Sequence, residues 1–234
     1  MNQNNEVKTI RDLMQYLPKN GLYVIGITGP AGAGKTNMIT PLIQMIIQSM
    51  GEWCTILGLD SFFKLSSEAR AEWLKEGKES GEREYALRRD QMNWWDFPRV
   101  ESSLRSLKAG KSLHLGNVYN RADKGRLTGV VHIVPPSERG ILLLDGVAIA
   151  HLQEIDMLLY IHAEDNERLR RLMARDIHRG YDAAKERFEL TQEFEGPYFR
   201  DYWERIHYCV DNSVSRTQFD DDIPIITKPE QAFF

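Results

Sequence analysis

The stretch that most restricts this chain is residues 22–36, LYVIGITGPAGAGKT, where a run rich in Val, Ile and Tyr feeds a glycine-rich turn ending in Lys35 and Thr36. Residues 22–28 are short and apolar enough for a buried parallel strand, and the pattern turns helical after Gly34. The turn between them matches G-x-x-x-x-G-K-[ST] at Gly29, Gly34, Lys35 and Thr36, with Gly32 as a further small residue. Backbone N–H groups converge on phosphate oxygens only where side chains stay out of the way, and the helix that follows aims its positive end at the same anion. The expectation is a phosphate-binding loop in which Lys35 holds the β- and γ-phosphates and the Thr36 hydroxyl holds Mg²⁺. Nucleotide contacts are expected along Gly29, Pro30, Ala31, Gly32, Ala33, Gly34, Lys35, Thr36 and Asn37. The plain alternative is an ordinary glycine-rich turn between a strand and a helix.

At 234 residues the chain suffices for one α/β domain with a well-buried core, and no linker-like stretch divides it. Its 30 basic and 34 acidic residues leave a net charge of −4, which argues against a general nucleic-acid or membrane-surface binder. Cys54 and Cys209 lie far apart in apolar stretches without metal or redox spacing, as expected of buried thiols in a reducing compartment. No apolar run is long enough to span a bilayer, and the first ten residues lack a signal-peptide pattern. A cytoplasmic protein is expected.

The periodicity predicts an N-terminal helix over 6–17, a helix from Lys35 to about Met50 bent at Pro41, and a strand over 53–59. Residues 64–90 are charged and weakly helical, broken at Gly77 and Gly81, and read as a solvated face. A helix over 99–109, a β-hairpin over 114–134, strands over 141–144 and 157–161, and helices over 165–179 and 183–208 follow. The fold class is α/β: a mostly parallel sheet of about five strands flanked by helices, with a small hairpin insertion.

Two carboxylates end strands, at the edge where open α/β sheets place their ligands. Asp60 could accept the proton of an acceptor hydroxyl, and Asp145, on a strand placed beside the loop strand, could hold Mg²⁺ directly or through water. Each could instead be a helix N-cap. Arg168, Arg171 and Arg175 fall at i, i+3 and i+7 and share a helix face that could line a transferring phosphate. A solvated face paired with Glu164, Asp165, Glu167 and Asp176 is the alternative.

GITGPAGAGKT, DSFF at 60–63, WDFP at 95–98, VYNRADKGR at 118–126, LLLDG at 142–146 and RLRRLMARDIHRGYD at 168–182 stand in an order and spacing that resembles the uridine-cytidine kinase branch of P-loop kinases. That branch also includes phosphoribulokinase and pantothenate kinase, and the resemblance spans about residues 22–211. It implies the P-loop NTPase fold, ATP and Mg²⁺, a small-molecule acceptor, Asp60 as base and Asp145 in the metal shell. Asp96 and Tyr119 would lie near the acceptor, and Arg171, Arg175 and Arg179 in a lid, about 164–195, would close over the phosphates. Members of the branch often form dimers or tetramers, so a homo-oligomer is possible on that likeness.

The chain departs from uridine kinases at the acceptor. Where those have Tyr-Asp-Phe and a His-x-Arg, it has Tyr119-Asn120-Arg121 and Lys124-Gly125-Arg126, and Phe63 replaces the usual Tyr. The lid is one residue shorter between Arg175 and Arg179, and Asp145 stands where Glu is usual. Three readings stay open: a nucleoside kinase; a kinase of a charged or sugar-like acceptor, contacted by Phe63, Asp96, Tyr119, Arg121, Lys124 and Arg126; and a P-loop NTPase acting on a protein partner. Against the last, the chain has no N-K-x-D guanine reader, and LLLDG carries one acid followed by Gly.

Overall fold

Strand β1 (Gly21–Thr28) is buried over its last five residues and lies inside the main sheet. The computed structural model describes residues 7–175, 181–213 and 222–227. The sheet runs β2 (Trp53–Gly58), β5 (Arg139–Asp145), β1, β6 (Met157–His162), β7 (Tyr208–Asp211) and β8 (Ile226–Thr227). The first five are parallel, as expected. The two-residue β8 adds an antiparallel edge on β7, too short to carry a readable alternation.

Alternation along the strands sends Leu142, Leu144, Leu158 and Tyr160 to one face and Ile25, Ile27, Leu143, Leu159 and Ile161 to the other. Each face is a separate apolar cluster, and each fully buried aliphatic side chain contributes about 1.5–3 kcal/mol. A one-residue slip would exchange the two sets, so packing fixes the register. In that register Asp145 pairs with Ile27 of β1 and with Gly58 of β2.

Helix α1 spans Ile10–Tyr16, shorter than the 6–17 expected, because Thr9 caps it with a reciprocal bond to Asp12. After the glycine loop, Lys35–Ile39 form a π-helical turn that leads into α2 (Thr40–Ser49). The bend expected at Pro41 takes this form: the wider turn ahead of the proline accommodates its ring and missing N–H.

Residues 64–90 are more ordered than a solvated face. They form α3 (Ser67–Ser80) and α4 (Glu82–Arg89), joined at Gly81, whose φ of +116 suits glycine. Gly77 does not break α3; it leaves room for Arg88, which donates to the Trp73 carbonyl at 2.6 Å. Helix α5 (Phe97–Lys108) lies in the first apolar cluster. β3 (Leu113–Asn120) and β4 (Arg126–Ile133) form the expected hairpin as a separate two-stranded sheet.

Helix α6 spans Asp165–Arg175 and α7 spans Tyr181–Asp201. The helix expected to reach 208 stops at Asp201, where a 3₁₀ turn, Trp203–Arg205, packs Trp203 edge-on against Tyr160. Arg179 lies outside the described residues. Cys54 and Cys209 are both buried and form no disulfide. No helix among the described residues is long and apolar enough to cross a membrane.

Candidate active site

The glycine loop bridges β1 and the π turn, and its carbonyls point outward onto cations. Lys35 Nζ donates to Gly29 O at 2.6 Å and to Pro30 O at 2.9 Å. Arg168 Nε donates to Ala31 O at 2.9 Å, and Arg171 Nη1 and Asn212 Nδ2 donate to Ala33 O at 3.1 and 2.8 Å. Gly32 has a φ of +81, and a Cβ there would stand 2.6 Å from the Arg168 carbonyl oxygen, so this position requires glycine. The third glycine, which the four-residue motif does not specify, therefore lets α6 approach the loop. Thr36 and Asn37 are exposed at its mouth.

Lys35, Asp145 and Asp60 are close enough to act on one another electrostatically. Burial pulls the Lys35 ammonium below its usual range, against Asp145, Glu195 and Asp60, which hold it up. Burial pushes the Asp145 carboxyl up, opposed by Lys35 and by a hydrogen bond from Thr36. Asp145 Oδ1 is buried without a hydrogen-bond partner. A hydroxyl and a carboxylate with an open oxygen are hard donors that fit Mg²⁺, which takes one or two protein oxygens and completes its shell with water and phosphate. Neither Asp60 nor Asp145 is a helix cap; Asp60 sits in the 3₁₀ turn Leu59–Phe62 that follows β2.

The residues expected at the acceptor form an aromatic and cationic group around Phe63. Phe63 stacks on Trp95 with ring centroids 5.0 Å apart and meets Tyr119 at 5.0 Å. The Arg70 guanidinium of α3 lies 4.0 Å from the Phe63 centroid. Ser67 latches α3 to the hairpin: its N–H donates to Gly125 O at 2.9 Å, and its hydroxyl lies 3.1 Å from the Tyr119 hydroxyl. Arg121 Nη2 donates to Asp60 Oδ2 at 3.0 Å.

Lys124 and Arg126 are not brought to Asp60. Lys124 occupies a left-handed turn position at φ +53, exposed, and Arg126 pairs with Asp123 inside its own turn. Asp96 caps α5 by accepting from the Arg99 N–H at 3.1 Å, one residue after Trp95.

The arginine helix divides by residue. Arg168 and Arg171 face the loop and also pair with Asp165 and Glu167, Glu167 is shared with the exposed Arg170, and Arg175 is exposed at the end of α6. Sequence reasoning missed three residues of the site: Arg70, Glu195 and Asn212. Glu195 is 2% exposed, accepting from Ala31 N–H at 2.9 Å and from Arg168 Nη2 at 2.9 Å. Its readable signal is a carboxylate on the apolar face that carries Phe188 and Phe199, at i−7 and i+4.

The fold has solved counterparts. Phosphoribulokinase from Rhodobacter spheroides superposes with a TM-score of 0.63 at 12% identity, covering 92% of this chain and 82% of that one. D-glycerate 3-kinase from Cryptococcus neoformans gives 0.57 at 12% identity, covering 93% and 94%. At such identities the likeness is one of fold. The comparison with curated proteins gives no match. The model of the phosphoribulokinase / uridine kinase family matches residues 24–216, well over half of the sequence, so the chain belongs to that family.

Proposed function

We propose that the chain transfers the γ-phosphoryl group of ATP to a hydroxyl of a small-molecule acceptor. The observation that carries this reading is the convergence of Lys35, Asp145 and Asp60 at the loop and at the ends of β5 and β2. Residues 29–37 hold the triphosphate, with Lys35 turning from its two loop carbonyls toward the phosphates. Thr36 and Asp145 would hold Mg²⁺, which would offset the negative charge of the phosphates. Asp60 takes the acceptor hydroxyl proton as the oxygen bonds to Pγ. The bond from Pγ to its bridging oxygen breaks, and the electron pair leaves with ADP. Arg175 and Arg179 supply charge to the transferring group, while Arg171 supports the loop from its carbonyl side.

A nucleoside is one acceptor class, but two observations favour an anionic, non-nucleoside acceptor. Arg121 already pairs with the proposed base, and Arg70 covers the Phe63 ring on which a nucleobase would stack. Guanidinium groups recognise carboxylate and phosphate by paired hydrogen bonds. Phe63, Trp95 and Tyr119 then orient Arg70, and Lys124 and Arg126 add positive field from the turn. ADP release should therefore be measured with matched acceptors: uridine, glycerol against D-glycerate, and ribose against ribose 5-phosphate. The expected result is acceptor-dependent release, faster with the anionic member of a pair and weakened by salt. Efficient, salt-insensitive turnover of uridine would restore the nucleoside reading. ADP release that no small molecule accelerates would contradict the kinase reading.

A further inference from the structure

Ala31 is held by both of its backbone polar groups. Its N–H donates to Glu195 Oε1 at 2.9 Å, and its carbonyl accepts from Arg168 Nε at 2.9 Å. The two side chains also bond to each other, Arg168 Nη2 to Glu195 Oε2 at 2.9 Å, and a second Arg168 nitrogen reaches Asp165 Oδ1 at 2.7 Å. Both are nearly inaccessible to solvent, with 6% of Arg168 and 2% of Glu195 exposed. They come from different helices, α6 and α7, and reach 137 and 164 residues back to the two successive peptide groups that flank one residue.

Pro30, Arg168, Glu195, Tyr160 and Phe199 line a cavity of about 330 Å³ at the C-terminal end of β6. Of the loop, Pro30 borders this cavity, and the two charged side chains stand between it and Ala31's backbone groups. Removing two charges from water costs several kcal/mol per ion, which apolar side chains of similar size would not incur. A buried pair at this place is better explained by holding a specific backbone geometry than by stability.

We propose that Glu195 and Arg168 are positioning residues for the nucleotide: they fix the phosphate-binding loop from behind and tie its geometry to α6 and α7. Neither touches the phosphates. With both peptide groups flanking Ala31 anchored, the amides that follow reach the phosphates already arranged, and ordering is not left to the binding step. The inference rests on the ATP reading of the loop and adds residues that the loop motif does not contain.

The test separates positioning from folding. The double variant Glu195→Leu with Arg168→Met replaces the pair by apolar groups of similar size, a change that often leaves stability unaltered or raised. Thermal unfolding and MgATP affinity by titration calorimetry are measured for it and for the unaltered protein. The expected result is a melting temperature within a few degrees of the unaltered protein and a Kd for MgATP raised about tenfold or more. Faster amide exchange over 31–36 should accompany it. A folded double variant with unaltered Kd and exchange would overturn the proposal and return the pair to a structural role.

If the double variant does not fold, Glu195→Gln carries the test. Its amide keeps one oxygen but sets N–H groups against Arg168, so the Kd should rise at least about threefold. An unchanged Kd in that variant overturns the proposal equally. Failure of the unaltered protein to bind MgATP would instead refute the ATP reading, and the inference with it.

Discussion

His151, in the turn after β5, lies edge-on to Phe97 at 4.5 Å between ring centroids, with Nδ1 2.9 Å from the Tyr198 hydroxyl of α7. Burial, and then Arg205, pull its pKa from the ordinary 6.5 to about 4. Between those values the unfolded chain binds a proton that the folded chain refuses, so this contribution is complete above pH 6.5 and is lost as pH falls toward 4. The whole shift would correspond to about 3 kcal/mol, and partial exposure of the ring reduces it to on the order of 1–2 kcal/mol. His151→Asn keeps a polar atom near Nδ1 and removes the titration. Urea denaturation should show the unaltered protein losing that much more stability than the variant between pH 7 and 4.5, whereas parallel pH curves would mean that the ring titrates normally.

The same scale shows which residues are readable in the chain. Lys35 and Thr36 follow from local spacing, and Asp60 and Asp145 from the rule that strands deliver side chains to one sheet edge. Glu195 acts on a peptide 164 residues away, and a charge-rich helix hides it unless its apolar neighbours are counted. Arg70 is hidden for a different reason. It lies in the weakly periodic stretch before WDFP, and only tertiary contact turns it toward Phe63.

Elements differ in how far local pattern determines them. Strands β1, β5 and β6 are continuous apolar runs because helices cover both faces of the sheet, and such runs survive reading from sequence alone. Helices α3 and α4 bury almost nothing, so periodicity could not reveal them; Arg88 and Gly77 join them instead. Through Ser67 this pair steadies the hairpin that carries Arg121. Gly125 has a φ of +75, and a Cβ there would stand 2.8 Å from both Ser67 Cβ and Tyr119 Cε2. Gly125→Ala should therefore push α3 off the hairpin and raise the acceptor KM by about tenfold or more, with the Kd for MgATP unchanged. Equal loss of both affinities would mean that the hairpin supports the whole site rather than its acceptor half.

Across the whole molecule the site divides between two supports. On the proposed reading the loop, α6 and α7 would hold the nucleotide, and the 3₁₀ turn after β2, the α3–α4 pair and the β3–β4 hairpin would hold the acceptor. Asp60 and Lys35 are the residues through which the two sides meet, since the Asp60 charge helps hold the Lys35 ammonium up against the pull of burial. Membership of the family and the placing of the Asp145 strand beside the loop strand were accessible from the motifs; the full strand order and the division of support were not, because they depend on contacts between segments far apart in sequence. The measurement that tests the central proposal most directly follows label from γ-³²P-ATP into acceptor with the unaltered protein, Lys35→Ala and Asp60→Asn. The expected result is labelled acceptor with the unaltered protein, none with Lys35→Ala, and transfer slowed about 10²-fold or more with Asp60→Asn at undiminished ATP affinity. Undiminished transfer by either variant, or label released only as inorganic phosphate by the unaltered protein, would contradict it.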